Sequence, residues 1–136
     1  MHSKKRHEVK HSASLRPEEW RRFVQMPPFP GQWARTGLDE DALIRLEICL
    51  MADPEQGKVV PGSGGLRKVR YAPPGSTSGK SGAYRVFYVH LAEYGTMILW
   101  GIIAKKDEKD PSKAETNEIA KRIQRLRQLL EKGSIR

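Results

Sequence analysis

Cysteine occurs once in the 136 residues, at Cys49. A lone thiol excludes an intramolecular disulfide and a cysteine-built metal cluster. At helical spacing among leucines it reads as a small buried hydrophobe. Long apolar runs are missing too: none approaches the roughly 20 residues that cross a bilayer. The N-terminus has no apolar stretch of the signal-peptide kind. These absences point to a cytoplasmic protein with no membrane partner. There is no internal repeat, carboxylate pair, metal triad or Ser–His arrangement for nucleophilic catalysis, so no cofactor and no metal are expected.

Negative charge is also absent where it would matter. No Asp or Glu lies between Glu55 and Glu93, while Lys58, Arg67, Lys68, Arg70, Lys80 and Arg85 fall in that interval and Lys105 and Lys106 follow it. The whole chain carries a formal charge of +9 with a pI near 9.9. Uncompensated cations concentrated on strands are suited to a polyanion, and RNA is the expected partner.

The length suits one domain with a single modest core. Residues 1–19 are polar and basic and read as a disordered tail; 20–133 hold the domain. His2, His7 and His11 in the tail imply no ligand geometry, and the tail's charge adds unspecific attraction to nucleic acid. Trp20–Met26 suits a short first strand. Pro27-Pro28-Phe29-Pro30-Gly31 ends it, because such a run cannot continue a ladder. Phe29 and Trp33 are expected as packing anchors.

Asp39 is placed to cap a helix whose stripe is Leu43, Leu46, Cys49 and Leu50, and Asp53-Pro54 stops it. Gln56–Gly65 is glycine-rich and reads as a tight turn in preference to a phosphate cradle. Three apolar runs follow, Leu66–Tyr71, Ala83–Leu91 and Met97–Ala104, rich in the Val, Ile, Tyr and Phe that suit strands. A last helix spans about Lys113 to Lys132, with a Ser112/Glu115 capping box, Gly133 as its stop, and a stripe of Ile119, Ile123, Leu126 and Leu130. Its other faces carry Lys121, Arg122, Arg125 and Arg127, expected as a solvated basic surface. The order predicts an α+β fold: a small, mostly antiparallel sheet of about four strands, with helices covering one face.

Gly75-Ser-Thr-Ser-Gly-Lys-Ser81 imitates a phosphate-binding P-loop, but three residues separate its glycines where four are required. A strand is expected after it, so no helix N-terminus would face the phosphates. In Leu66–Tyr71 the alternation places Lys68 and Arg70 on one face, with Arg67, Val69 and Tyr71 on the other. With Arg85, Lys105 and Lys106 they form a cationic cluster able to clamp a phosphodiester while a ribose 2′-hydroxyl attacks it. His90 is the only histidine outside the tail. It sits mid-strand and is better suited to packing than to proton transfer. A lysine among other cations is the alternative base.

Three runs carry a resemblance to a known family: Val60-Pro-Gly-Ser-Gly-Gly-Leu-Arg-Lys-Val-Arg70, Gly79-Lys-Ser-Gly-Ala-Tyr-Arg-Val-Phe-Tyr88 and Ile103-Ala-Lys-Lys-Asp-Glu-Lys109. Over roughly Phe23 to Leu130 the chain resembles the RelE/ParE toxin superfamily, and within it the HigB-type branch. The resemblance implies a compact sheet flanked by helices. It also implies a metal-independent, ribosome-dependent endoribonuclease that cuts mRNA by 2′-hydroxyl attack and is held inactive by a cognate antitoxin, often of helix-turn-helix type. Lys68, Arg70, Arg85, Lys105 and Lys106 match the basic catalytic positions, with Lys68 or Arg70 near the proton transfers and Arg85 with Lys105 or Lys106 on the phosphate. Arg67, Lys80 and Lys58 are the expected flanking RNA contacts. The tyrosine or histidine that some members place after the last strand has no counterpart in Asp107–Ala114. The same fold also hosts ParE-like toxins that bind DNA gyrase and cut nothing, and a degenerate RNA-binding member would share the charge pattern.

Overall fold

Residues Tyr84–Leu91 and Thr96–Ala104 form the two longest strands of the computed structural model, which describes Val9, 15–74 and 83–133. Both strands are apolar on both faces, so the sheet they build must be covered twice. Five strands make one sheet: β1 (Arg22–Gln25), β2 (Lys58–Val59), β3 (Arg67–Tyr71), β4 (Tyr84–Leu91) and β5 (Thr96–Ala104), in spatial order β1-β5-β4-β3-β2. β2 to β5 pair antiparallel, whereas β1 runs parallel to β5 with Phe23 opposite Met97.

Three helices close the two faces: α1 (Pro28–Thr36), α2 (Glu40–Ala52) and α3 (Lys113–Glu131). On one face Phe29 and Trp33 of α1 and Leu46, Cys49 and Leu50 of α2 bury Val69, Tyr71, Val86, Tyr88, Met97 and Leu99. On the other, Ile123 and Leu130 of α3 cover Leu66, Val89, Leu91 and Ile98. The fold is α+β, but the expected sheet of about four mostly antiparallel strands with helices on one face is corrected to five mixed strands covered on both. Strand alternation names a residue's face and says nothing of which strand lies beside it.

The helix boundaries follow local chemistry. Asp39 Oδ1 accepts from the Ala42 N–H at 2.9 Å, and the Ser112/Glu115 box is made in both directions, at 3.1 and 2.7 Å. α1 is the element that the prolines conceal. They end β1, yet the first helical turn has no use for its own N–H groups, so the same residues open a helix. Gly37 closes it with φ +76°. Phe29 and Trp33 stack at 6.1 Å, and Trp33 reaches Tyr71 at 6.4 Å, so both serve as packing anchors. Where β1 stops short of the end of β5, Gln32 of α1 takes over, its Oε1 accepting from the Ile102 N–H at 3.0 Å.

The run 61–65 is a turn joining β2 to β3. Ser63 is fully buried and its hydroxyl donates to the Val60 carbonyl at 2.6 Å, while the Leu66 N–H donates back to Ser63 Oγ at 3.0 Å. Gly64, at φ +80°, lets Ala120 of α3 approach to a distance that a Cβ there would fill at 3.4 Å. Of the tail, Val9 is buried, its N–H donating to the Arg70 carbonyl at 3.0 Å, and Leu15 packs on the core. Gly75–Ser81, with Lys80, lies outside the described residues, and β4 begins soon after it.

Candidate nucleic-acid interface

Lys68 on β3 and Arg85 on β4 share the face that α3 covers, and the loop leaving β5 brings them a carboxylate. After Ala104 the chain makes a single 3₁₀ turn, Lys105–Asp107, pinned by Lys105 N–H to the Ala83 carbonyl at 3.0 Å and Glu108 N–H to the Lys105 carbonyl at 3.2 Å. That turn delivers Glu108 between the two cations. Glu108 Oε2 accepts from Lys68 Nζ at 3.1 Å and Oε1 from Arg85 Nε at 3.0 Å. The three side chains are 25%, 16% and 15% exposed for Lys68, Arg85 and Glu108. Burial pushes the Glu108 carboxyl up, but the hydrogen bonds and charges of Lys68 and Arg85 outweigh it and hold the group below its ordinary value. The cluster expected to be uncompensated is therefore neutralised in part from a distant stretch of chain.

The remaining cations divide between the two faces. Arg70 is half-buried directly opposite Arg85 in the β3–β4 register. Lys58 is exposed on β2 and stands opposite Lys68. Lys105 and Lys106 are exposed in the turn that carries Glu108. Arg67 points the other way and is committed to the loop before β2, donating to the Gly57 carbonyl at 2.7 Å and the Glu55 carbonyl at 3.0 Å. It is not brought together with Lys68 and Arg85.

His90 also lies apart, on the face covered by α1 and α2. Its side chain is 7% exposed, with Nδ1 3.7 Å from Glu55 Oε2, and neither ring nitrogen has a hydrogen-bond partner among the described residues. Burial, reinforced by the Arg21 charge, lowers its pKa. A neutral, enclosed imidazole across the sheet from Glu108 is no proton donor to the cluster.

Two neighbouring cavities open on this face, and Lys68 lines the second. One, of about 470 Å³, opens between the sheet and the start of α3, with Phe87 and Trp100 among its lining residues. The other, of about 580 Å³, is lined by Lys58, Lys68 and Lys113. They share Val60, Asp110 and Pro111. The basic faces of α3 are largely solvated, as their pattern suggests. Arg122 pairs with Glu118 at 3.2 Å and Arg127 with Glu93.

Glu108, Asp110 and Lys113 are the members that sequence reasoning misses. A search of Asp107–Ala114 for tyrosine or histidine passes over Glu108, and Lys105 and Lys106, expected to close the last strand, lie instead in the turn that delivers it. No set of His, Cys, Asp or Glu among the described residues is arranged to hold a metal ion, and no helix there is long and apolar enough to cross a membrane. No protein-family model matches the chain.

Proposed function

We propose that this protein is an mRNA endoribonuclease toxin of the RelE type, acting on ribosome-bound message and restrained by a cognate antitoxin. The observation that carries this reading is the half-buried Lys68–Glu108–Arg85 bridge beside a lysine-lined cavity. It supports the reading because two cations and a carboxylate in hydrogen-bond contact are the groups that an acid, a base and a phosphate clamp would require.

The chemistry follows from the donor inventory. Arginine stays protonated, so Arg85 and Arg70 serve as clamps on the non-bridging oxygens and Lys68 is the cation able to give up a proton. Glu108 is held ionised, as a general base must be. The ribose 2′-oxygen loses its proton to Glu108 and bonds to phosphorus. The bond to the 5′-oxygen breaks, and Lys68 protonates that leaving oxygen. The products are a 2′,3′-cyclic phosphate and a 5′-hydroxyl. Glu108 then returns its proton to Lys68 along their 3.1 Å hydrogen bond, which resets the site. Lys58, Lys105 and Lys106 are exposed around the cluster and suit both an RNA backbone and an acidic antitoxin segment.

Primer extension on a defined messenger in a reconstituted translation system tests the proposal. Cuts at the decoding site are expected with the natural protein and should vanish with Arg85→Ala. Persistent cutting by a folded Arg85→Ala protein would sink the site assignment. An uncut messenger with growth arrest still seen in cells, and relaxed plasmid left unsupercoiled by gyrase, would favour the ParE-like reading.

A further inference from the structure

We propose that the two adjoining cavities form one nucleotide subsite, in which a guanine base of single-stranded RNA enters the aromatic chamber and its phosphate lies in the lysine chamber. The inference rests on the RNA reading above and adds a base preference to it.

The floor of the first chamber is set by a β-bulge. Phe87 pairs with Gly101 and Tyr88 with Leu99, so Trp100 has no partner in the β4 register. Phe87 and Trp100 both remain half-buried, with their rings lining open space, whereas Phe29, Tyr71 and Tyr88 elsewhere in the fold are buried. Unstacked bases are held in this way, against aromatic faces. Of the carboxylates that also line the chamber, Glu115 is bonded to Ser112 and Glu118 is paired with Arg122. A volume of about 470 Å³ falls within the ordinary range of small-molecule pockets.

The second chamber supplies the charge. Lys58, Lys68 and Lys113 come from β2, β3 and the first turn of α3 and converge on one cavity. Lysines from three separate elements lining one cavity suit capture of a backbone phosphate. Asp110 stands on the wall shared by both chambers, exposed and without an ion pair among the described residues. A carboxylate there rejects a second phosphate and accepts from a base edge. Guanine presents adjacent N1–H and N2–H donors to such a carboxylate, and no other RNA base offers two donors side by side.

The test reads the change in tryptophan fluorescence in a Trp20→Phe background, since Trp20 is 60% exposed and would otherwise add its own response. Trp33 is buried in the core across the sheet and contributes a constant signal. A short single-stranded RNA with one guanine is compared with the same strand carrying uracil, or an abasic site, at that position. Quenching and at least fivefold tighter binding are expected for the guanine strand. Asp110→Asn, an exposed substitution, should bring guanine and uracil within twofold of each other, while the loss of a negative charge beside the lysines raises the affinity of all strands, the abasic one included. Equal binding of guanine and abasic strands with no quenching overturns the subsite, even if the protein cuts RNA. Quenching by an acidic peptide with no response to RNA overturns it as well. Guanine-selective quenching by a protein that cuts nothing supports the subsite and removes the nuclease reading alone.

Discussion

Arg85 Nε and Glu108 Oε1 lie 3.0 Å apart although 23 residues separate them in the chain. Arg85 is fixed by the β4 ladder and Glu108 by the turn after β5, so their meeting depends on both elements being in register. Removing the carboxylate leaves two half-buried cations without their shared anion. Glu108→Ala should cost about 1–3 kcal/mol of stability by urea titration, since hydrogen bonds to charged groups are worth roughly that much. Glu108→Gln keeps the shape but removes the base, and cleavage should fall by about 10² or more. Its RNA affinity should rise, because an internal anion no longer competes for Lys68 and Arg85. A glutamine variant that cuts at the natural rate would remove Glu108 from the mechanism.

His90 sets a pH window. Its folded pKa is depressed, so below about 6.5 the unfolded chain binds a proton that the folded one refuses. Stability is then present above that pH and declines as pH falls toward the folded value. The denaturation midpoint should drop between pH 7.5 and pH 5.5, and His90→Leu should flatten the slope. Glu108 acts in a lower window, with its contribution lost only as pH falls below about 4.5 through its depressed folded value. An unchanged slope in His90→Leu would mean that other groups carry it.

Lys58 contributes charge without supporting the core, being exposed on a two-residue edge strand. Lys58→Gln should leave the melting temperature unchanged and weaken binding of all RNA sequences alike. If Lys58 touches one phosphate, the slope of log affinity against log salt should fall by about 0.7. An unaltered slope would place Lys58 outside the RNA path.

Tyr88 ties the core to the edge of the site. Its hydroxyl donates to the Pro54 carbonyl at 2.9 Å and accepts from the Gly57 N–H at 3.0 Å, and burial pushes its pKa up to about 12. Gly57 precedes β2 directly, so this one oxygen holds the strand that presents Lys58. Tyr88→Phe strands both backbone groups and should cost about 1–3 kcal/mol. Hydrogen exchange should quicken at Gly57 and Lys58 before it does elsewhere. Uniform exchange across the sheet would argue against this local role.

The sequence by itself determined what repeats at short range. The capping of α2 and α3, the apolar stripes ending in Leu50 and Leu130, the three strands around the charge, and the shared face of Lys68 and Arg70 all depend on spacings of two to four residues. Of the glycine-rich run Gln56–Gly65, read as one tight turn, only 61–65 is that turn, its glycines taking the positive φ it needs. Lys58–Val59 inside the run pairs with β3 as β2 and was not legible. What lies beyond that range required the folded chain. α1 was hidden because proline marks the end of a strand and the opening turn of a helix alike. The parallel pairing of β1 with β5, and the second covered face, depend on which surfaces meet, which alternation does not encode. The gap in negative charge between Glu55 and Glu93 suggested bare cations, and the tertiary structure filled it by bringing Glu108 40 residues back to Lys68. Charges act through space, and only the fold decides which of them are neighbours.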